Sequence, residues 1–131
     1  PTRRWIGLVP LGYGDGIFRA ASNRARVVVR TEAGLLNAPL VGRVCMDQFM
    51  VDLGPAQGDP GTPTARSGDA PAAVGDIAVL FGTGALGEPL ADEWADAAST
   101  INYEIVTNLG AHIPRAYRDH TAHTQEKNTH E

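Results

Sequence analysis

Glycine and proline interrupt this sequence so often that long regular elements have little room. The chain carries 15 glycines and 9 prolines in 131 residues. Because both residues favour turns, this punctuation favours short strands joined by tight loops over long helices. The hydrophobic content of 43%, with only 6% aromatic residues, is enough for one mostly aliphatic core. The length fits a single domain.

Short apolar segments predict five or six strands. They lie at residues 5–10, 25–30, 38–44, 48–53 and 76–81, with residues 113–118 as a last strand or extended segment. Residues 31–37 are expected to form a turn, and the continuous apolar run 76–81 a buried strand. Closing the strands into a small barrel, or a partly open one, would protect their edges. The predicted fold class is therefore mainly β.

An alanine-rich segment predicts a short helical insert near residues 90–109. Its expected inner face consists of Leu90, Trp94, Ala97, Ala98 and Ile101. Gly110 follows as the expected C-cap. We expect one β-domain over residues 1–118, with 54–75 as a flexible insertion and 119–131 as a disordered tail.

Charge and composition exclude several classes of function. The 11 basic and 15 acidic residues give a net charge of -4, which argues against nucleic-acid or polybasic membrane binding. No apolar run is long enough to span a bilayer, and no secretory signal is visible. The single cysteine, Cys45, fits a reducing compartment and hence a cytoplasmic location. The only lysine, Lys127, lies in the polar tail, so no credible Schiff-base residue is present.

Three features that suggest a ligand or a catalytic role are better explained without one. Residues 82–87 match G-x-G-x-x-G, but Pro89 favours a helix that starts after the loop, and the chain lacks alternating βα units. A glycine turn is the favoured interpretation. The histidines predict no metal site, because His112 is isolated and the other three lie in the tail. Cys45 could be a nucleophile, but a buried structural thiol is the favoured interpretation.

Three further segments carry candidate functional residues. In LGYGDGIFR, glycines surround Tyr13 and Asp15, and either a plain hairpin loop or an outward-facing functional tyrosine fits. In GRVCMDQFMVDL, Arg43 and Asp47 flank a break between strands, and a structural ion pair is favoured. In STINYE, Tyr103 lies at the start of a helical turn, where free amides and a hydroxyl favour anions, although a tyrosine at the edge of the core is the commoner case.

Taken together and in this order, these segments resemble the C-terminal domain of alanine racemases, the pyridoxal-phosphate (PLP) enzymes of bacterial cell-wall metabolism. The resemblance covers residues 5–118, interrupted by 54–75. It depends on IGLVPLGYGDG, VGRVCMDQFMVDL, INYE and the IPR of residues 113–115. It implies a β-domain that follows an N-terminal (β/α)₈ barrel with PLP on a lysine. It also implies a homodimer in which each β-domain closes the partner's barrel, with alanine as substrate.

The resemblance also implies residue roles. The backbone amide of Met46 would meet the substrate carboxylate, and Tyr13 and Asp47 would lie at the entrance of the partner's site. The Tyr103 hydroxyl would bind the PLP phosphate of its own subunit and line the inner gate. The outer corridor would include Arg19, Arg43 and Ile101.

Both catalytic bases of that family would lie outside this chain, the lysine in the barrel and a tyrosine about one strand before Pro1. We therefore expect no catalytic residue here, and an isolated fragment that is inactive and binds no PLP. Gly14 stands where the family usually has alanine, a change expected only to loosen the loop. Two alternatives stay open: a stand-alone β-barrel interaction module, and the same domain from a racemase of broader amino-acid specificity.

Overall fold

The computed structural model describes residues 3–56 and 69–118. Within these ranges the strands are β1 (Arg4–Val9), β2 (Arg26–Thr31), β3 (Gly34–Val41), β4 (Phe49–Pro55) and β5 (Ile77–Val79). The helices are α1 (Ala91–Ala98) and α2 (Asn102–Thr107), and single 3₁₀ turns lie at Tyr13–Asp15 and Arg19–Ala21. The predicted tail, 119–131, and most of the predicted insertion lie outside the described residues.

The five described strands form one antiparallel sheet in the order β1-β4-β3-β2-β5. Within the described part of the chain β1 and β5 are the edges of this sheet, so it is an open half-barrel. The prediction of a mainly β fold with a closed or partly open barrel is confirmed, and the described residues form the partly open version. The β2–β3 hairpin turns over two residues, since Thr31 pairs with Gly34.

The core lies between the sheet and α1. Val27, Phe49 and Val51 are almost completely buried, and Trp94 of α1 is 3% exposed. The rings of Trp94 and Phe49 meet edge to face with centroids 6.4 Å apart, a favourable aromatic geometry. The Trp94 indole N–H also donates to the backbone carbonyl of Leu80 at 2.6 Å. These contacts fix α1, and therefore the start of α2, against the sheet.

Several predicted strand boundaries are wrong. The predicted turn at 31–37 is mostly strand, because β2 continues to Thr31 and β3 begins at Gly34. Strand β3 also ends at Val41, three residues before the predicted end of that strand at 44. The predicted insertion begins too early, since β4 continues to Pro55. The buried strand predicted at 76–81 is only Ile77–Val79, and Ile77 is exposed. It pairs only with β2 within the described chain, so continuous apolar sequence here marks an edge rather than a covered centre.

The helical insert is confirmed as two helices with a sharp break between them. Ser99 has a left-handed backbone at φ 58° and ends α1. Trp94, Ala97 and Ala98 are buried as predicted, but Leu90 and Ile101 are exposed, because each is an extended N-cap residue rather than part of a helical face. Helix α2 is capped by Asn108, so the prediction of Gly110 as C-cap is wrong. Residues 113–118 form no strand.

Candidate functional site

The turn at Tyr13–Asp15 packs directly against the loop that joins β3 to β4. The Tyr13 N–H donates to the Cys45 carbonyl at 2.9 Å, and the Gly14 N–H donates to the Met46 carbonyl at 2.8 Å. A Cβ at Gly12 would overlap both carbonyl groups, so glycine is required for this close approach. We call Tyr13, Met46 and Asp47 the turn cluster. Two segments separated by about thirty residues thus meet through their backbones.

The side chains of the β3–β4 loop are mostly exposed, while the loop backbone is anchored to the rest of the domain through Val44. Val44 is 1% exposed, and its N–H donates to the Ser22 hydroxyl at 2.8 Å. Cys45, Met46 and Asp47 all point outward. The prediction of a buried Cys45 thiol is wrong, because Cys45 lies in the surface loop between β3 and β4, with its backbone bonded to Gln48 and Tyr13 and its side chain exposed.

The predicted ion pair between Arg43 and Asp47 is also wrong. No salt bridge joins them in the part of the chain that the structure describes, and both side chains are exposed. Both residues lie in the loop between β3 and β4, so they do not face each other on paired strands. Both charges are therefore available to a partner or ligand.

Tyr103 and Ile101 border a shallow groove between α1 and α2. The groove has a volume of about 370 Å³. Its lining consists of Asp92, Ala95, Asp96, Thr100, Ile101, Asn102 and Tyr103. Tyr103 is 73% exposed, and its hydroxyl has no hydrogen-bond partner among the described residues. The two carboxylates were not predicted as site residues, although their i, i+4 spacing puts them on one face of α1.

The candidate residues therefore fall into separate groups. Tyr13, Met46 and Asp47 form the turn cluster, while Ile101 and Tyr103 lie in a groove whose lining includes none of the cluster. Arg19 opens the second 3₁₀ turn, and Arg43 lies in the β3–β4 loop. All seven are exposed: Tyr13, Arg19, Arg43, Met46, Asp47, Ile101 and Tyr103. Four of them, Tyr13, Met46, Ile101 and Tyr103, are large and apolar or aromatic.

The turn that carries Tyr13 is also joined, through Asp15, to the segment that follows α2. An Asp15 carboxylate oxygen lies 2.6 Å from His112 Nε2, and the Asp15 backbone carbonyl accepts the Gly110 N–H at 2.9 Å. The hydrogen bond from His112, followed by one from the Gly12 N–H, lowers the pKa of Asp15 below its ordinary value. His112 carried no signal in the sequence, because its partner lies 97 residues away.

The G-x-G-x-x-G segment is a glycine turn, as predicted. The Glu88 carboxylate accepts the backbone N–H groups of Gly84 and Leu86, the latter at 2.9 Å. The amides that a dinucleotide phosphate would need are thus bound by the chain's own carboxylate. No cluster of three metal-ligating side chains occurs within residues 3–56 and 69–118. No helix in those ranges is long and apolar enough to cross a membrane.

Comparison with known proteins assigns the chain to a family. The family model described as "Alanine racemase, C-terminal domain" matches residues 1–117. An alanine racemase of Thermobifida fusca is 52% identical over 112 residues, which cover 86% of this chain and 25% of that protein. An alanine racemase of Mycobacterium leprae is 46% identical over 114 residues, covering 87% of this chain and 25% of that protein.

The fold agrees with this assignment. The solved alanine racemase of Streptomyces coelicolor matches with a TM-score of 0.68 and 45% identity, over 88% of this chain and 26% of that one. The chain thus spans about a quarter of the length of the relatives it matches. These relatives are isomerases, and the matched quarter is their C-terminal β-domain. The chain belongs to the family of alanine racemase C-terminal domains.

Proposed function

We propose that this chain completes the active site of a PLP-dependent alanine racemase, which interconverts L- and D-alanine in the cytoplasm for peptidoglycan synthesis. The observation that carries the proposal is the turn cluster. Its backbone contacts hold Tyr13, Met46 and Asp47 at one exposed surface. An amino-acid carboxylate needs a backbone N–H and positive charge nearby, and the Met46 amide with the unpaired Arg43 in the same loop could supply them.

The two groups of candidate residues suit two different active sites. In the proposed homodimer the turn cluster faces the partner's site, with Met46 at the substrate carboxylate and Tyr13 and Asp47 at the entrance. Ile101 and Tyr103 line the corridor of the chain's own subunit. Arg19 and Arg43 belong to the outer corridor. Support for this division comes from the groove between α1 and α2, whose lining contains no member of the turn cluster.

The catalytic bases of the proposed reaction belong outside this chain. The only lysine, Lys127, lies beyond the described residues, and the base tyrosine would precede Pro1. Proton transfer at the α-carbon needs a base on each face, so loss of either costs orders of magnitude. The isolated chain is therefore inactive in this proposal.

The residues present fit PLP only in part. PLP supplies an electron sink for removal of the α-proton when it is bound. The free Tyr103 hydroxyl fits one hydrogen bond to its phosphate. The groove beside Tyr103 also contains Asp92 and Asp96, and two carboxylates do not favour a phosphate dianion. The remaining phosphate ligands must come from the N-terminal barrel, and the isolated chain binds no PLP.

An exposed apolar face supports a domain that works against another domain. Leu8 pairs with Met50, and Met50 with Val41, so these residues form one row across β1, β4 and β3. Each is 40% to 55% exposed, and Ile6 on the same side of β1 is 47% exposed. A stand-alone interaction module would be expected to lack such an exposed apolar face when it is free in solution. We propose that the N-terminal barrel or the partner subunit covers it.

The domain boundaries are part of the same proposal. Residues 1–118 are the β-domain, with the insertion predicted at 54–75, whose first two residues belong to β4, and a tail at 119–131. The described part of this region holds one sheet and one core, as a single domain requires.

Racemisation of L-alanine with added PLP tests the function. The isolated chain is compared with the longer protein that carries an N-terminal domain in front of it. We expect racemisation only in the longer protein, with the isolated chain no faster than free PLP. Activity in the isolated chain, or none in the longer protein, contradicts the proposal. L-Serine, assayed in parallel at equal concentration, distinguishes an alanine racemase from an enzyme of broader specificity.

A further inference from the structure

Asp15 lies at the junction of three chain segments. One carboxylate oxygen accepts the Gly12 N–H at 2.9 Å, and the other lies 2.6 Å from His112 Nε2. Its backbone carbonyl accepts the Gly110 N–H at 2.9 Å. Its side chain is 20% exposed, against 61% for His112. One residue thus closes its own turn and ties that turn to the segment after α2.

The neighbouring residues reinforce this tie. The Gly16 carbonyl accepts the Asn108 side-chain amide at 3.0 Å, and Asn108 is the C-cap of α2. A Cβ at Gly110 would overlap the His112 ring, so glycine there lets the imidazole reach Asp15. These contacts connect the turn to the end of the helix that carries Tyr103.

On its other side the same turn holds the β3–β4 loop. Tyr13 and Gly14 donate their amides to Cys45 and Met46, as described above. The turn therefore has two anchors, one at residues 45–46 and one at residues 108–112. Loss of the second anchor would leave the turn held on one side only, so its bonds to the β3–β4 loop would open more often and the turn cluster would shift relative to α2.

We propose that Asp15, through His112, is a positioning residue that sets the turn cluster relative to α2 and the Tyr103 groove. This inference rests on the proposed function, since it concerns the alignment of the entrance residues. Asp15 itself touches neither substrate nor cofactor. Its role is to keep the Met46 amide and the Tyr13 side chain in register with the rest of the domain, which matters because small displacements of a binding group weaken substrate binding and catalysis.

Amide hydrogen exchange in the 131-residue chain tests the tie without any need for activity. His112→Ala removes the side-chain bond to Asp15 from the second anchor and leaves the Gly12 bond to Asp15 intact. We expect protection of the Gly110, Tyr13 and Gly14 amides to fall roughly tenfold, as loss of one hydrogen bond predicts, with the core amide of Val51 unchanged. His112→Gln, which keeps a donor, should restore part of the protection. Unchanged Tyr13 and Gly14 protection in His112→Ala overturns the proposal.

Asp52→Asn is the matched control. Asp52 also accepts a nearby glycine amide, that of Gly54, and pairs with Arg4, but it lies on β4 away from the turn. It should leave Tyr13 and Gly14 protection unchanged. An equal loss in this control shows a general loosening of the domain and overturns a specific role for Asp15.

Kinetics in the longer enzyme separate positioning from folding. His112→Ala should raise KM for alanine roughly tenfold and lower kcat by less, because the entrance and carboxylate contacts are misaligned. A fall in kcat at constant KM reports fewer folded molecules and contradicts positioning. If the unsubstituted enzyme has no racemase activity, the proposed function fails, whereas the exchange experiment still decides the role of Asp15.

Discussion

The carboxylate of Glu88 binds the backbone N–H of Leu86 at 2.9 Å, inside the glycine loop that precedes α1. Glu88 is only 5% exposed. Burial raises the pKa of this carboxyl, but hydrogen bonds from backbone amides, its own and those of Gly84, Leu86 and Ala85, outweigh it and lower the pKa overall. A loop that resembles a phosphate-binding motif is therefore closed by an internal anion.

Replacing Glu88 should destabilise this loop. Glu88→Ala leaves the amides of Gly84 and Leu86 without their acceptor, so we expect the melting temperature to fall by several degrees. Glu32→Ala is the control, because Glu32 is exposed in the β2–β3 turn. Thermal unfolding followed by circular dichroism measures both. An unchanged melting temperature in Glu88→Ala would show that the carboxylate does not hold the loop.

Lowering the pH should reduce the free energy of unfolding, because Asp52 becomes protonated. A backbone hydrogen bond from Gly54, followed by the side-chain bond from Arg4, lowers the pKa of Asp52 from its ordinary 3.8. A carboxyl with a lowered folded pKa stabilises the fold above its unfolded pKa, and this stabilisation is lost as the pH falls through the lower folded value. We expect the free energy of unfolding to decline below about pH 4.

Asp52→Asn should reduce that decline and leave the unfolding free energy less dependent on acid. Urea unfolding at several values between pH 2 and 6 measures the slope. Glu32→Gln serves as the control, because Glu32 is exposed and its carboxylate makes no polar contact with another side chain in the described chain. An Asp52→Asn variant with the same acid dependence as the parent refutes this assignment.

Gly16 should tolerate no side chain. Its φ is +102°, and a Cβ would overlap the Asn108 carbonyl. Gly75 has a similar φ of +98° but open space around the Cβ position. Both alanine variants carry the left-handed backbone cost, about 1–2 kcal/mol, and Gly16→Ala should cost roughly 1–3 kcal/mol more from steric overlap. Chemical denaturation measures the difference, and equal losses would show that the approach of Asn108 to the turn is unimportant.

Tyr103 should matter for PLP affinity in the longer enzyme. Tyr103→Phe removes one neutral hydrogen bond to the phosphate, so we expect the PLP dissociation constant to rise roughly tenfold. Tyr117→Phe is the matched control, since Tyr117 is 90% exposed and lies outside the groove. PLP absorbance titration of the apoenzyme gives both constants. Equal PLP dissociation constants for the two variants would show that Tyr103 does not bind the phosphate.

The apolar runs predicted most of the sheet, but not its limits. Val27, Val29, Phe49 and Val51 lie in the predicted strands and are buried. The beginning of β3 at Gly34 was missed because residues 34–37 resemble a turn locally, and only pairing with β2 makes them a strand. The edge position of β5 was likewise invisible, since an apolar run cannot show how many neighbours it has.

The candidate site residues were named from their motifs, while their grouping required the fold. Tyr13 and Met46 are 33 positions apart, and only the Gly12 approach brings their segments into contact. The predictions of an Arg43–Asp47 ion pair and of a buried Cys45 thiol were wrong, because the spacing of residues along the chain does not show how a loop turns. His112 had no local signal at all, because its role depends on Asp15 at the other end of the chain.

The sequence by itself determined a glycine- and proline-punctuated β-domain, its late helices and the family motifs. These features depend on local backbone preferences and on side-chain patterns that repeat over a few residues. Tertiary structure decided that β1 and β5 are the sheet edges within the described residues, that Glu88 fills the glycine loop, and that Asp15 joins the turn to the segment after α2. Each of these depends on contacts between segments brought together by the core, whose energies no local pattern contains.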